Sequence, residues 1–175
     1  MNRLRTVLVD GGSGSGKTTL ARRLQPVWSE LCGQPVQLVS LDDCYPGWNG
    51  LSAGSLMVLR DVLRPRSPGY RRWDWEHDRP GAWVPLDPRL PLVVEGCGAL
   101  TRSSALLAQL SIWVELDVEE RKRRALARDG EGFAPWWETW AEQEAAHWSA
   151  NRPCELATVV VDGRRLGEPA ALPLP

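Results

Sequence analysis

The chain is poor in metal-ligating and cross-linking residues. It has only two histidines, and its four cysteines, Cys32, Cys44, Cys97 and Cys154, are widely spaced with no C-x-x-C pair. That pattern argues against a structural zinc or a disulfide framework and for a reducing cytoplasm. Charge of either sign is not in excess. The formal net charge is −1, so no global field favours nucleic acid or an anionic membrane, and any anion binding must be local. No apolar run reaches membrane-spanning length. Residues 1–5 run into a short apolar strand without the apolar core and cleavage site of a secretory signal. Phenylalanine occurs once, against ten tryptophans. Trp48, Trp73, Trp75 and Trp83 crowd into one stretch, either as scaffold packing or as the wall of an aromatic pocket.

At 175 residues the chain suits one compact domain with at most a small insertion or lid. Thr6-Val7-Leu8-Val9 reads as a buried strand. Lys17 to Leu31 has helical spacing, with Leu20, Leu24, Val27, Trp28 and Leu31 on one face, Pro26 expected to kink or shorten it, and Gly33 as a stop. Val36 to Leu41, Leu92 to Val94, Ile112 to Leu116 and Thr158 to Val161 supply four more strands. Helical segments at Leu56–Leu63, Glu119–Asp129 and Pro135–Ala150 alternate with them. Seven prolines and glycines between Pro65 and Pro88 predict an irregular segment. Strands alternating with helices predict a parallel sheet covered on both faces.

Gly11-Gly12-Ser13-Gly14-Ser15-Gly16-Lys17-Thr18 fits G-x-x-x-x-G-K-[ST], the Walker A pattern, and lies between a predicted strand and a predicted helix, the context the motif requires. Glycines let successive N–H groups face phosphate oxygens, and the helix N-terminus adds its dipole. Lys17 is expected on the β- and γ-phosphates of ATP and the Thr18 hydroxyl on Mg²⁺, with Thr19 beside them. No N-K-x-D guanine signature occurs, nor an apolar run ending in Asp-Glu.

The second strand ends Ser40-Leu41-Asp42-Asp43-Cys44-Tyr45 and the third Val94-Glu95-Gly96. On these residues the chain resembles the uridine kinase and phosphoribulokinase group, over about three quarters of its length by the span of the matching motifs. The resemblance implies a P-loop NTPase fold like that of nucleoside monophosphate kinases: three layers, α/β/α, on a five-stranded parallel sheet with a short lid at about residues 119–133. It implies that Asp42 is the general base and that Glu95 helps hold the metal. Independently, an acceptor hydroxyl in line with the γ-phosphorus needs a carboxylate to take its proton, and strand ends are where such groups converge. Arg121, Arg124 and Arg128 recur at helical spacing and match lid arginines that stabilise the transferring phosphoryl group; the alternative is a solvated basic helix. Trp73-Asp74-Trp75 is similar to the Tyr-Asp-Phe acceptor motif of nucleoside kinases, so Asp74, with Tyr70 and Arg71, is a candidate substrate contact, the alternative being a solvent-facing hairpin. His77 reads as a surface residue. Tyr45 and Trp48 continue the loop of the base, and Asp162-Gly163-Arg164 holds the place of a loop past the adenine. The acceptor segment is thus about residues 44–88.

The expectation is ATP-dependent phosphorylation of a small molecule's hydroxyl, with no nucleic-acid or membrane partner; a homodimer is compatible with it. A nucleoside monophosphate, shikimate-like or sugar-acid kinase would need pocket arginines, for which Arg60, Arg71 and Arg72 are candidates. A nucleotide-binding regulator without turnover is the alternative of another class.

Overall fold

The computed structural model describes residues 6–167; the reading of residues 1–5 lies outside them. In chain order it contains β1 (Thr6–Gly11), α1 (Lys17–Cys32), β2 (Gln37–Ser40), a 3-10 turn at Leu41–Asp43, and α2 (Leu51–Met57), which continues as a π-helical turn over Val58–Val62. Next come β3 (Gly69–Asp74), β4 (Arg79–Pro85), β5 (Leu92–Glu95), α3 (Arg102–Ala105), β6 (Leu110–Glu115) and α4 (Val118–Asp129). Two 3-10 turns lead to α5 (Trp137–Asn151), α6 (Pro153–Leu156) and β7 (Val159–Asp162).

Five strands form one sheet in the order β2-β5-β1-β6-β7, and all of its pairings are parallel. Alternation along β1 sends Val7 and Val9 to one face and Leu8 to the other. Val7 and Val9 pack with Leu20, Leu24 and Trp28 of α1 and with Ile112 and Val114. Leu8 packs with Val39, Val94, Leu51, Leu100, Trp137 and Trp140. Helices thus cover both faces, the three-layer α/β/α arrangement, and each fully buried leucine contributes about 1.5–3 kcal/mol. The sheet reverses its direction of winding around β1, so the crevice outside the carboxyl ends of β1, β2 and β5 is the expected ligand position.

Three local expectations are corrected. Helix α1 runs through Pro26 without shortening; Pro26 and Arg22, whose carbonyl loses its partner, are both exposed, so water can take that bond. Leu31 is 60% exposed rather than on the buried face. Residues 69–85 form an antiparallel hairpin of β3 and β4, which corrects the irregular-segment reading and agrees with the hairpin given as the alternative for this stretch. Its prolines fit because a two-stranded ribbon has outer edges that need no N–H, and Pro80 lies where the register shifts between Arg71 and Trp73. Gly69 allows the Trp83 ring to lie on the backbone, since a Cβ there would sit 2.6 Å from it. Among the described residues no helix is long and apolar enough to cross a membrane.

Candidate active site

The loop from Gly11 to Thr18 leaves β1 and enters α1. Gly16 caps the helix in the left-handed region at φ 103° and Gly14 lies at φ 79°, conformations that glycine adopts without strain. Lys17 Nζ donates to the Gly12 carbonyl oxygen at 2.9 Å. Burial works against its charge, but the carboxylates around it, Glu95, Glu144 and Asp42, oppose that and its pKa is raised. Lys17 is therefore a fixed cation at the mouth of the loop.

Behind the loop stands Asp10, fully buried. Its carboxylate accepts from the main-chain N–H groups of Gly11 at 2.7 Å, Gly98 at 3.1 Å and Leu100 at 2.8 Å. It ties the start of the loop to the segment after β5. His147 Nε2 lies 3.7 Å from it.

The strand ends bring the acidic groups together. Register sets Ser40 and Val9 beside Glu95, and Glu95 Oε1 accepts from Ser40 Oγ at 2.5 Å and from Thr18 Oγ1 at 3.2 Å. Burial pushes the Glu95 carboxyl above its usual range, against the opposing pull of the Lys17 ammonium and the Ser40 hydroxyl. One hydroxyl and one carboxylate are the donor set that suits Mg²⁺, which keeps waters and phosphate oxygens in its remaining positions. Asp42, exposed, sits on the turn directly after β2.

A cleft of about 730 Å³ joins these groups to the aromatic residues. Thr18, Thr19, Ser40, Asp42, Glu95 and Arg128 line it together with Tyr45, Trp48, Trp75, Phe133 and Trp140. Trp48 is the centre of the aromatic group, stacked on Phe133 at 5.4 Å and Trp136 at 5.7 Å, and tilted against Trp75 at 5.0 Å. Trp75 Nε1 donates to the Asp42 carbonyl oxygen at 2.8 Å, which joins the hairpin to the turn of Asp42. Tyr45 is buried and donates to the Cys97 carbonyl oxygen at 2.8 Å, with burial raising its pKa.

Other sequence-predicted residues are not brought to this cleft. Tyr70 is buried in the core, Arg71 bonds the Gly81 carbonyl oxygen across the exposed hairpin, and Asp74 is held by His77 and Arg79 of its own turn. His77 is a surface residue, its side chain 56% exposed. Of the three candidate pocket arginines only Arg72 lines the cleft, paired with Asp43 at 3.4 Å; Arg22 lines it too. The arginines of α4 also divide. Arg128 lines the cleft, held by Asp129 at 2.6 Å. Arg124 is turned to Glu120 and the Gly163 carbonyl oxygen. Arg121 is buried, 3.2 Å from Glu144 and behind the loop. Gly163 itself lies against the loop, where a Cβ would meet the Ser15 carbonyl oxygen at 2.5 Å.

Sequence reasoning missed Asp10, Glu144 and His147. Trp137, Trp140, Glu144 and His147 are the buried positions of α5, and their helical spacing was readable as a core face containing one acid.

No protein-family profile matches the chain. A uridine kinase of Staphylococcus epidermidis is 26% identical over 148 residues, covering 74% of this chain and 70% of that protein. A structure described as a possible uridine kinase from Bacillus stearothermophilus superposes with a TM-score of 0.63 at 18% identity, covering 93% of this chain and 90% of the other. A gluconokinase of Sinorhizobium meliloti gives a TM-score of 0.51 at 20% identity, covering 95% and 88%. The shikimate kinase of Acinetobacter baumannii gives 0.51 at 17%, covering 91% and 84%. The Staphylococcus relative supports a small-molecule kinase; the solved structures show the P-loop kinase fold, and the chain resembles the uridine kinase group.

Proposed function

We propose that the protein transfers the γ-phosphoryl group of MgATP to a hydroxyl of a small molecule that carries a planar ring, as a nucleoside does. The observation that supports this most is the continuity of one cleft from Thr18, Glu95 and Asp42 to Trp48, Trp75, Phe133 and Trp140. The loop N–H groups and Lys17 bind the phosphates, and Thr18 and Glu95 hold Mg²⁺, which when bound neutralises phosphate charge. Asp42 accepts the proton of the acceptor hydroxyl as its oxygen bonds the γ-phosphorus, the bond to the β–γ bridging oxygen breaks and ADP leaves. Arg128 exchanges Asp129 for phosphoryl oxygens, and the aromatic residues stack the acceptor ring. Residues 119–133 act as a lid of this single domain and limit hydrolysis by excluding water.

A second reading is favoured by Arg22 and Arg72, which line the same cleft: an acceptor that already bears a phosphate or carboxylate. An ATP-consumption screen over nucleosides, nucleotides, sugars and sugar acids, with Lys17→Ala as control, separates the two. Turnover with uncharged nucleosides is the expected result. Turnover only with anionic acceptors selects the second reading, and tight ATP binding with no phosphorylated product from any acceptor makes the protein a nucleotide-binding regulator.

A further inference from the structure

Helix α5 carries a carboxylate that phosphoryl transfer does not use. Glu144 is 1% exposed, and a buried carboxylate is tolerated only with hydrogen bonds and a cation. Its Oε1 accepts from the Ser13 main-chain N–H at 2.6 Å and from the Cys97 thiol at 3.3 Å. Its Oε2 accepts from Arg121 Nη1 at 3.2 Å, and that same nitrogen donates to the Ser13 carbonyl oxygen at 3.2 Å. Both main-chain polar groups of Ser13, on the crest of the phosphate loop, are therefore held by one buried ion pair contributed by α4 and α5.

The pair is itself immobilised. The Arg121 guanidinium lies over the rings of Trp148 at 5.4 Å and Trp137 at 6.0 Å. The fit against the loop is close: a Cβ on Gly12 would lie 2.2 Å from Arg121 Nη1, and one on Gly14 would lie 2.1 Å from the Arg121 carbonyl oxygen. Glycines at these two places make room for α4 as well as for phosphate. The mouth of the loop is lined by Ser13, Gly14, Gly16, Lys17 and Thr18, with neither Arg121 nor Glu144 among its residues.

We propose that Arg121 and Glu144 are positioning residues, a buried ion pair that fixes the Ser13 peptide groups and so presets the phosphate loop to receive nucleotide phosphate. A glycine-rich loop loses much conformational freedom when it is ordered. Fixing its crest in the free protein moves that cost from binding to folding, which raises affinity without adding a contact to the ligand. The inference rests on the nucleotide-phosphate reading of the loop and assigns Arg121 a place other than the transferring phosphoryl group.

The test uses the full chain, MgADP calorimetry and thermal melts. Arg121→Met/Glu144→Leu removes the ion pair without leaving a buried unpaired charge. The expected result is a cooperative melt with MgADP affinity at least about tenfold weaker; a folded double variant that binds within about twofold of wild type overturns the proposal. Glu144→Gln keeps one acceptor for the Ser13 N–H but turns an amide nitrogen, which cannot accept, towards Arg121, so half of the clamp remains and a smaller loss of affinity is expected. Should the double variant not fold, Glu144→Gln decides: weaker MgADP binding supports the proposal and wild-type binding overturns it. A wild-type protein that binds MgADP no better than Lys17→Ala defeats the nucleotide reading instead. The ion pair is then judged by amide hydrogen exchange at Ser13 in wild type and Glu144→Gln: faster exchange in the variant supports it, and equal exchange overturns it.

Discussion

The two sides of the cleft are built differently. On the phosphate-loop side the groups that set geometry are buried: Asp10 is 0% exposed, Glu144 1%, Glu95 2% and Lys17 8%. They are held by main-chain and side-chain hydrogen bonds that originate in several elements. On the opposite side the polar groups are exposed, as in the Asp74–His77 pair within the hairpin and the Arg72–Asp43 pair between the hairpin and the turn after β2, and the shape comes from stacked rings around Trp48. Phosphate charge is the same whatever the acceptor, so its donors gain from being fixed in advance. A wall of large rings drawn from the loop after β2, the hairpin turn and the turns that lead into α5 fixes shape more than polarity, and in the proposed function that is the side on which acceptor identity rests.

The contrast predicts where substitutions act. Lys17→Ala removes the charge-assisted phosphate contact, and turnover is expected to fall by about three orders of magnitude or more, measured as ATP consumption with an accepted acceptor. Asp42→Asn should lower turnover at least about a hundredfold while MgATP still binds; normal turnover removes Asp42 from the mechanism. Trp48→Ala tests the opposite wall. Loss of ring stacking of about 1–3 kcal/mol corresponds to an acceptor KM raised about 5- to 150-fold with the ATP KM unchanged, and an unmoved acceptor KM would reduce the aromatic wall to packing. The smallest effect concerns Glu95. Because burial raises its folded pKa, the folded protein binds more proton than the unfolded chain between the ordinary carboxyl value and the raised one, so its contribution to stability falls as pH rises through that window. Glu95→Gln is therefore expected to raise the melting temperature of the ligand-free protein at neutral pH while weakening the Mg²⁺ dependence of nucleotide binding. A lowered melting temperature would mean that the charge itself holds Ser40 and Thr18 in place.

The phosphate loop and the five strands were legible because each is a short-range signal: a glycine pattern in strand–loop–helix context, or a run of β-branched residues. The hairpin was legible only as an alternative, since its prolines and glycines look the same in a ribbon edge as in an irregular loop. The arginines of α4 show a second limit. Spacing correctly put Arg121, Arg124 and Arg128 on one helical face, but seven residues of helix span about 10 Å, so one face meets three environments. Arg121 meets Glu144, Arg124 meets the Gly163 carbonyl and Arg128 meets the cleft.

Sequence alone determined that this chain forms a parallel α/β sheet with a phosphate loop at its first strand, and that Asp42 and Glu95 stand at the carboxyl ends of strands. Those features follow from local backbone preference and from the two-residue and 3.6-residue periods. Tertiary structure alone decided that those two strands are neighbours, and which charged side chains are buried behind the loop and which reach the cleft. Burial of Glu144 requires Ser13, Cys97 and Arg121, which are up to 131 residues away in the chain, and no local pattern encodes the meeting of groups so far apart.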